Sequence, residues 1–130
     1  MTPHRILQVN ALATAVSAIA LLAGRGILPR FFGLSSPLLL DVVAIGFLVY
    51  AGALALVAAR RPVHRQALMA FAIADAAWVV GSAVALLMFW PQLEPLGRIL
   101  IIAVALVVEV FATLQYRAAG AIKREYPQPA

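Results

Sequence analysis

Four long apolar stretches dominate the sequence, and short segments rich in arginine, proline and glycine separate them. A helix needs about 20 mostly apolar residues to cross the hydrocarbon core of a membrane, where its backbone must satisfy its own hydrogen bonds. The stretches run from Ile6 to Ala23, Pro37 to Ala59, Ala67 to Trp90 and Pro95 to Ala118. They predict an all-α polytopic membrane protein, and the short connections predict an antiparallel bundle of four transmembrane helices.

Proline marks the start of three predicted helices. Thr2, Ser36 and Glu94 each stand before a proline, which is the expected order of a capping residue and a proline at the first helical position. Between the first two spans, the segment from Arg25 to Ser36 contains two adjacent phenylalanines. It predicts a short interfacial helix or lid, with anchoring at the membrane surface as the preferred role.

The composition supports a protein that is surrounded by lipid. The 130 residues are 65% hydrophobic and 12% charged, against roughly 45–50% and 25% in an ordinary soluble domain. This excludes a disordered chain and an ordinary soluble enzyme, and we expect a single integral membrane domain over residues 1–130. The chain has no cysteine, which excludes disulfides and thiolate metal sites. In such a hydrophobic chain we interpret the net charge of +5 as basic residues that orient the helices in the membrane, and we expect no nucleic-acid partner.

The basic residues predict the orientation of the chain in the membrane. Seven flank one side and three flank the other: Arg5, Arg60, Arg61, Arg65, Arg117, Lys123 and Arg124 against Arg25, Arg30 and Arg98. Because the loops of membrane proteins carry more basic residues on the cytoplasmic side, we expect both termini in the cytoplasm and the helices in a bacterial inner membrane. In an alternative interpretation, the first span is a cleaved signal peptide, which would leave three helices. Three polar residues within that span, Asn10, Thr14 and Ser17, argue against it.

Polar residues recur at one depth in all four spans. At 1.5 Å per residue, Thr14, Tyr50, Asp75 and Glu109 each lie about 12–13 Å from the predicted cytoplasmic end of their helix. An ionisable residue within a span costs roughly 2.5–3.5 kcal/mol on insertion scales, so such residues are candidates for function. The coincidence of depth predicts a polar seam inside the bundle.

The predicted seam has a candidate set of ligand-binding or proton-binding residues: Asp75, Glu109, Tyr50, Asn10 and Trp78. Helical periodicity places Asp75 and Trp78 on one stripe of the third span. We expect Asp75 and Glu109 to lie close enough to interact, and to carry a proton, hold a cation or bind an amine. In the alternative interpretation both carboxyls act as structural hydrogen-bonding groups between helices.

Other candidate sites are structural or absent. Asp41 and Arg98 lie at matching depth near the outer ends of their helices, which predicts a structural ion pair between the second and fourth spans. The two histidines share no spacing typical of metal ligands, and we predict no metal, cofactor or catalytic residue. Rows of small residues at four-residue spacing, such as Ala77 and Gly81, favour close helix packing within the bundle or between copies of the chain.

Several short strings resemble known membrane proteins. Tyr50-Ala51-Gly52, the run from Ala74 to Ser82 and Pro95-Leu96-Gly97 resemble a broad group of small bacterial inner-membrane proteins with four helices. The resemblance implies a fold and no chemistry. The run from Glu109 to Thr113 is similar to the membrane glutamate of small multidrug-resistance transporters. That family carries the glutamate in its first helix, so we treat this similarity as a coincidence.

Three functions follow as hypotheses. The preferred one is binding or transport of a small molecule, proton or cation through the polar seam. The alternative is a non-catalytic structural or assembly subunit of a membrane complex, with a second copy or another membrane protein as partner. A third is an enzyme that acts on a lipid with Asp75 and Glu109 as acid and base, but no nucleophile or cofactor motif supports it. We therefore favour a protein that is not an enzyme.

Overall fold

The computed structural model describes residues 2–125, with side chains described from residue 2 to residue 122. Within this range the protein is helical and has no strands. The helices are α1 (Pro3–Ala23), α2 (Leu28–Phe31), α3 (Leu38–Ala59), α4 (Arg65–Phe89) and α5 (Pro95–Glu125), and a short 3-10 turn, Trp90–Gln92, connects α4 to α5. Four of these helices, α1, α3, α4 and α5, are long and apolar enough to span a membrane, which confirms the four apolar helices that the sequence predicts.

Proline opens α1 and α5 as predicted. Its fixed φ suits the first helical position, where the missing N–H would have no partner inside the helix. Thr2 is the N-cap residue of α1 as predicted, although its side chain makes no capping hydrogen bond. At the start of α3, the hydroxyl of Ser36 accepts a hydrogen bond from the backbone N–H of Leu38 at 3.1 Å. That helix begins one residue later than predicted.

The long helices form two closely packed pairs, α1 with α3 and α4 with α5. Contacts between the pairs are fewer and come mainly from α1 against α5. Ala11 and Ala18 on α1, and Ala44, Ala51 and Ala58 on α3, are buried at seven-residue spacing. Small side chains at a repeating position on both helices allow their backbones to approach closely. The two pairs are therefore the tightly packed units of the fold.

A hydrophobic core joins the two pairs at the end of the bundle where α1 begins and α3 ends, which we call the N-terminal end. All four long helices contribute to it, through Leu7, Ala11, Leu54, Ala58, Leu68 and Ala119. Three of these residues are leucines with no solvent-exposed surface. This core holds the two pairs together at the N-terminal end. Other contacts determine how far apart the pairs lie along the rest of the bundle.

The short helix α2 joins the pairs at the opposite end, which we call the α2 end. The carbonyl of Phe31 accepts a hydrogen bond from the backbone N–H of Glu94 at 3.0 Å. This approach requires glycine at position 97, because a Cβ there would overlap the same carbonyl oxygen. Gly33 has a φ of 69°, and a Cβ at this position would lie 2.6 Å from the carbonyl oxygen of Gln92. The predicted short helix thus links the two connections at this end of the bundle.

Candidate functional site

Four polar side chains, one from each long helix, form a hydrogen-bonded group that we call the polar cluster: Asn10, Tyr50, Asp75 and Gln115. The carboxyl of Asp75 accepts three hydrogen bonds. The hydroxyl of Tyr50 donates to Oδ1 at 2.7 Å, and the amides of Asn10 and Gln115 donate to Oδ2 at 2.9 Å each. Asn10 also donates to Oε1 of Gln115 at 2.8 Å. The cluster therefore ties α1, α3 and α5 to α4.

Three members of the polar cluster are buried, and the fourth, Tyr50, is half-buried. Asn10 is 3% exposed, Asp75 is 5% exposed and Gln115 has no exposed surface. Among the described residues, Asp75 has no ion-pair partner. Buried polar groups are stable when they are hydrogen-bonded, and buried charges when they are also paired. The carboxyl of Asp75 is hydrogen-bonded but has no paired charge among the described residues, since its three donors are neutral.

Helical periodicity explains how these residues reach the same interior. Asp75 follows Leu68 by seven residues, and Gln115 precedes Ala119 by four. Residues at these spacings lie on the same face of a helix. Leu68 and Ala119 belong to the hydrophobic core, so the polar cluster continues the inward-facing stripes of α4 and α5 beyond that core.

A cavity of about 460 Å³ lies between the polar cluster and the α2 end, and all four long helices line it. Its polar side is formed by Asn10, Thr14, Ser17, Tyr50 and Asp75. The wall from α5 is apolar and consists of Ala103, Val104, Val107, Val108 and Phe111. Along α1 the lining runs from Asn10 to Ser17, and these seven steps of 1.5 Å span about 10 Å. The volume lies within the range of roughly 300–1,000 Å³ that small-molecule sites occupy.

The two α1 hydroxyl groups on the polar side of the cavity, those of Thr14 and Ser17, already donate their hydrogens within α1. Thr14 donates to Oδ1 of Asn10 at 3.1 Å, and Ser17 donates to the backbone carbonyl of Ala13 at 2.8 Å. A hydroxyl that donates one hydrogen bond retains lone pairs that accept others. The polar side of the cavity therefore presents acceptor oxygens to a bound molecule.

Aromatic side chains close the gap between α3 and α4, whose backbones are not closely packed. The rings of Phe47 and Trp78 meet edge to face, with centroids 4.9 Å apart. Tyr50 and Phe71 form a second such pair at 5.7 Å. Phe47, Tyr50 and Trp78 also line the cavity. Gly46 lies beside them, and a Cβ at this position would meet no atom within 4 Å. This side of the cavity is thus bounded by side chains rather than by packed backbones.

The predicted ligand-binding residues divide into two groups. Asn10, Tyr50 and Asp75 lie together in the polar cluster, and Trp78 lies on the cavity wall. Their role in binding stays a prediction. Glu109 lies apart, exposed on the outward surface of α5, where Thr113 donates a hydrogen bond to it at 3.4 Å. The expectation that Glu109 lies close to Asp75 is therefore wrong.

Helix geometry accounts for the place of Glu109. It precedes Gln115 by six residues, and at 100° per residue this separates their directions by about 120°. Because Gln115 points into the bundle, Glu109 points away from it. Gln115 is thus the fourth member of the cluster, and the sequence analysis did not single it out. The sequence does carry a signal for Gln115, because it stands three residues after Ala112 and four before Ala119, on one helix face that also carries small residues.

The predicted ion pair between Asp41 and Arg98 is also wrong. Asp41 accepts hydrogen bonds from Arg25 at 2.8 and 3.2 Å. Arg25 lies two residues beyond the end of α1, which packs along α3, and this brings it to the start of α3. The hydrogen bond with Asp41 raises the pKa of Arg25 above its ordinary value. Arg98 donates to the carbonyl of Trp90 at 2.7 Å and stacks on its ring at 4.0 Å.

The residues that the structure describes contain no group of three histidine, aspartate or glutamate side chains able to hold a metal ion. The chemistry of the cavity therefore depends on a single carboxyl, with a phenol, an amide and two hydroxyls around it. Such a set can accept hydrogen bonds from a ligand and balance a positive charge.

Comparison of the chain with family models, curated proteins and solved structures finds no match. The resemblance to small four-helix inner-membrane proteins therefore stays a prediction.

Proposed function

We propose that the protein is an integral membrane protein that binds a small, largely apolar molecule between its two helix pairs and moves it within or across the membrane. The cavity of about 460 Å³ carries this proposal. An apolar cavity with a few convergent polar groups is the usual form of a small-molecule site. Asp75, Tyr50 and Asn10 provide the polar groups that orient the ligand, and Trp78 contributes to the apolar wall.

The proposal includes an antiparallel arrangement of the four helices in the membrane. Contacts at both ends of the first pair support it. Arg61, just after α3, lies 3.3 Å from the ring of His4 near the start of α1. Arg25, just after α1, pairs with Asp41 near the start of α3. An end-to-start contact at each end is what two helices that run in opposite directions would make.

The proposed orientation has both termini in the cytoplasm of a bacterium. The charges at the N-terminal end of the bundle support it, and this end carries Arg5, Arg60, Arg61, Arg65 and Arg117. The side chains of Lys123 and Arg124 lie outside the described residues. Basic residues are retained on the cytoplasmic side. Fusions of a cytoplasm-active and a periplasm-active reporter to each terminus test this orientation, and periplasmic activity at either terminus would contradict it.

Two glycines on α3 provide a matched test of ligand binding in the cavity. Gly46 lines the cavity and Gly52 does not. A Cβ at either position would meet no atom within 4 Å, so neither substitution overlaps existing atoms at its first carbon. Gly46→Leu would place a branched side chain in the cavity, whereas Gly52→Leu would place the same side chain on the outward surface. Both changes improve helix propensity by a similar amount, on the order of 1 kcal/mol.

The readout is native mass spectrometry of protein released from its own membranes. We expect the wild type and Gly52→Leu to carry the same small-molecule adduct, and Gly46→Leu to lose it. A wild type without any adduct, or an adduct that Gly46→Leu retains, would contradict binding in this cavity. Circular dichroism of both variants controls for a change of fold.

An assembly subunit is the second candidate function, and the position of Glu109 favours it. Its carboxyl lies on the outward surface of α5, among exposed apolar side chains such as Leu106 and Val110. In a membrane this places a carboxyl against lipid, at a cost of roughly 2.5–3.5 kcal/mol. A partner protein that accepts or donates a hydrogen bond at this position would offset that cost. Ala77 and Gly81 on α4 are also exposed and suit close contact with another helix.

Native gel electrophoresis of mildly solubilised membranes distinguishes this candidate. If α5 faces a partner, the wild type migrates as a larger complex and Glu109→Leu releases the single chain. Val110→Leu is the control, because it changes a neighbouring exposed residue without removing a polar group. Identical migration of wild type and Glu109→Leu at the size of one chain would exclude a partner on this face.

A further inference from the structure

We propose that the ligand of the cavity is a monovalent organic cation with an apolar body, of the kind formed by a protonated amine, and that Asp75 pairs with its charge. This inference rests on the proposed function and specifies the class of molecule that the cavity takes. It depends on the chemistry of three surfaces of the cavity, which are the carboxyl, the surrounding oxygen atoms and the aromatic wall.

The carboxyl of Asp75 is hydrogen-bonded as an acceptor and lacks a cation. Three neutral donors, from Asn10, Tyr50 and Gln115, point at its two oxygens. An ionised carboxylate has about four lone-pair sites for hydrogen bonds, so three donors leave it with capacity for another. A buried negative charge is stabilised most effectively by a paired positive charge. No lysine or arginine forms an ion pair with Asp75 within the described part of the chain, and a cationic ligand would supply that partner.

The other polar atoms of the cavity also favour a ligand that donates hydrogen bonds. Thr14 and Ser17 line the cavity and use their hydrogens inside α1. The phenol of Tyr50 uses its hydrogen on Asp75. Each of these oxygens retains lone pairs. An ammonium group, which only donates hydrogen bonds, complements this surface, and a carboxylate or phosphate group would face oxygens of the same polarity.

The remaining walls specify an apolar body and suit the positive charge. Trp78 and Phe47 stand beside Tyr50 on one side of the cavity. Aromatic faces attract cations, most strongly when both are removed from water. Val104 and Val107 belong to the apolar wall on α5, where no polar group meets the ligand. A hydrated metal ion would leave this wall without a partner, whereas a hydrocarbon or aromatic body would cover it.

Three probes with the same body and different head groups test the inference: 4-phenylbutylamine, 4-phenylbutanol and 4-phenylbutyrate. The chain has two tryptophans, so Trp90→Phe leaves Trp78 as the single fluorescent reporter in the cavity. Binding is measured from its fluorescence in nanodiscs of zwitterionic lipid, which do not concentrate cations at their surface. We expect the amine to bind about ten-fold more tightly than the alcohol, because a charge-assisted hydrogen bond is stronger than a neutral one. We expect the butyrate to bind more weakly than both.

Asp75→Asn separates the effect of charge from that of shape. Its amide oxygen can accept from Asn10 and Gln115, and the hydroxyl of Tyr50 already lies 3.4 Å from the carbonyl of Phe71, which can receive its hydrogen. We therefore expect the variant to fold and to bind amine and alcohol within about two-fold of each other, because the charged partner is gone.

The outcomes separate this inference from the proposed function. Wild-type protein that binds alcohol as tightly as amine, or an amine preference that Asp75→Asn retains, would overturn the cation inference and leave small-molecule binding intact. If no probe binds and Gly46→Leu also leaves the native adduct unchanged, then both the inference and the proposed function fail. Circular dichroism and gel filtration of Asp75→Asn confirm that a lost preference does not reflect unfolding.

Discussion

Replacing Asp75 with alanine should destabilise the bundle by about 2 kcal/mol. The carboxyl accepts three interhelical hydrogen bonds, at 2.7, 2.9 and 2.9 Å. Such bonds in membrane proteins average roughly 0.6 kcal/mol and reach about 1.7 kcal/mol, so three of them contribute about 2 kcal/mol and at most about 5 kcal/mol. Asn10 and Gln115 keep their mutual bond of 2.8 Å after the change, which favours the lower figure.

Asp75→Asn should cost less than about 1 kcal/mol, because its oxygen retains two of the three bonds and Tyr50 has a second acceptor at 3.4 Å. The measurement is unfolding in mixed micelles with a rising fraction of dodecyl sulfate, followed by far-UV circular dichroism. Glu109→Ala is the control, because it removes an outward carboxyl with one long hydrogen bond and should change stability by at most about 0.6 kcal/mol. The reasoning is refuted if Asp75→Ala is as stable as the wild type, or if alanine and asparagine are equally costly.

Two further predictions concern the ends and the wall of the cavity. Gly97→Ala should destabilise the protein by roughly 1–3 kcal/mol, because its Cβ overlaps the carbonyl of Phe31 and forces α2 away from α5. Thermal unfolding of this variant checks the prediction, with Gly52→Ala as the control because its Cβ meets no atom within 4 Å. Phe47→Ala removes the ring that contacts Trp78 at 4.9 Å, so Trp78 fluorescence in the Trp90→Phe background should become more strongly quenched by brominated lipid. Unchanged quenching would contradict the placement of Phe47 at this gap.

Much of the fold follows from hydropathy alone, because long apolar runs and helix-breaking residues determine where helices begin and end. The predicted boundaries agree with α3 and α4 to within two residues. The last helix continues to Glu125, beyond the predicted Ala118, because Gly120 does not end it. A single glycine weakens a helix interior by about 1 kcal/mol, which neighbouring helical residues can offset.

The orientation of each helix about its own axis was harder to predict. In a soluble protein the apolar face identifies the interior, but in this chain both the inward and the outward faces are apolar. Depth alone predicts an interior position for Glu109, because it shares the depth of Asp75, although its direction about the helix axis differs. Gln115 lies more than a helical turn from that depth, so the same criterion does not identify it. The same depth criterion succeeds for Tyr50 and Asp75, because both side chains do face the interior of the bundle.

The sequence also does not predict which distant residues form ion pairs. Arg98 matches Asp41 in depth, but depth does not determine which helices are neighbours. Arg25 forms the pair because α1 packs along α3. The cavity has the same origin, since it results from two tight pairs that are held together at their ends, and no local pattern of residues encodes that separation.

Photo-crosslinking with a diazirine derivative of 4-phenylbutylamine tests the central claim most directly. The account predicts that label is incorporated into the peptides of α3 around Gly46 and of α5 between Ala103 and Phe111, and that excess unmodified amine prevents it. The outward side chains Leu56 and Leu87 are 70% and 83% exposed. A binding site inside the bundle would be contradicted if the label concentrated on such side chains and excess amine did not displace it.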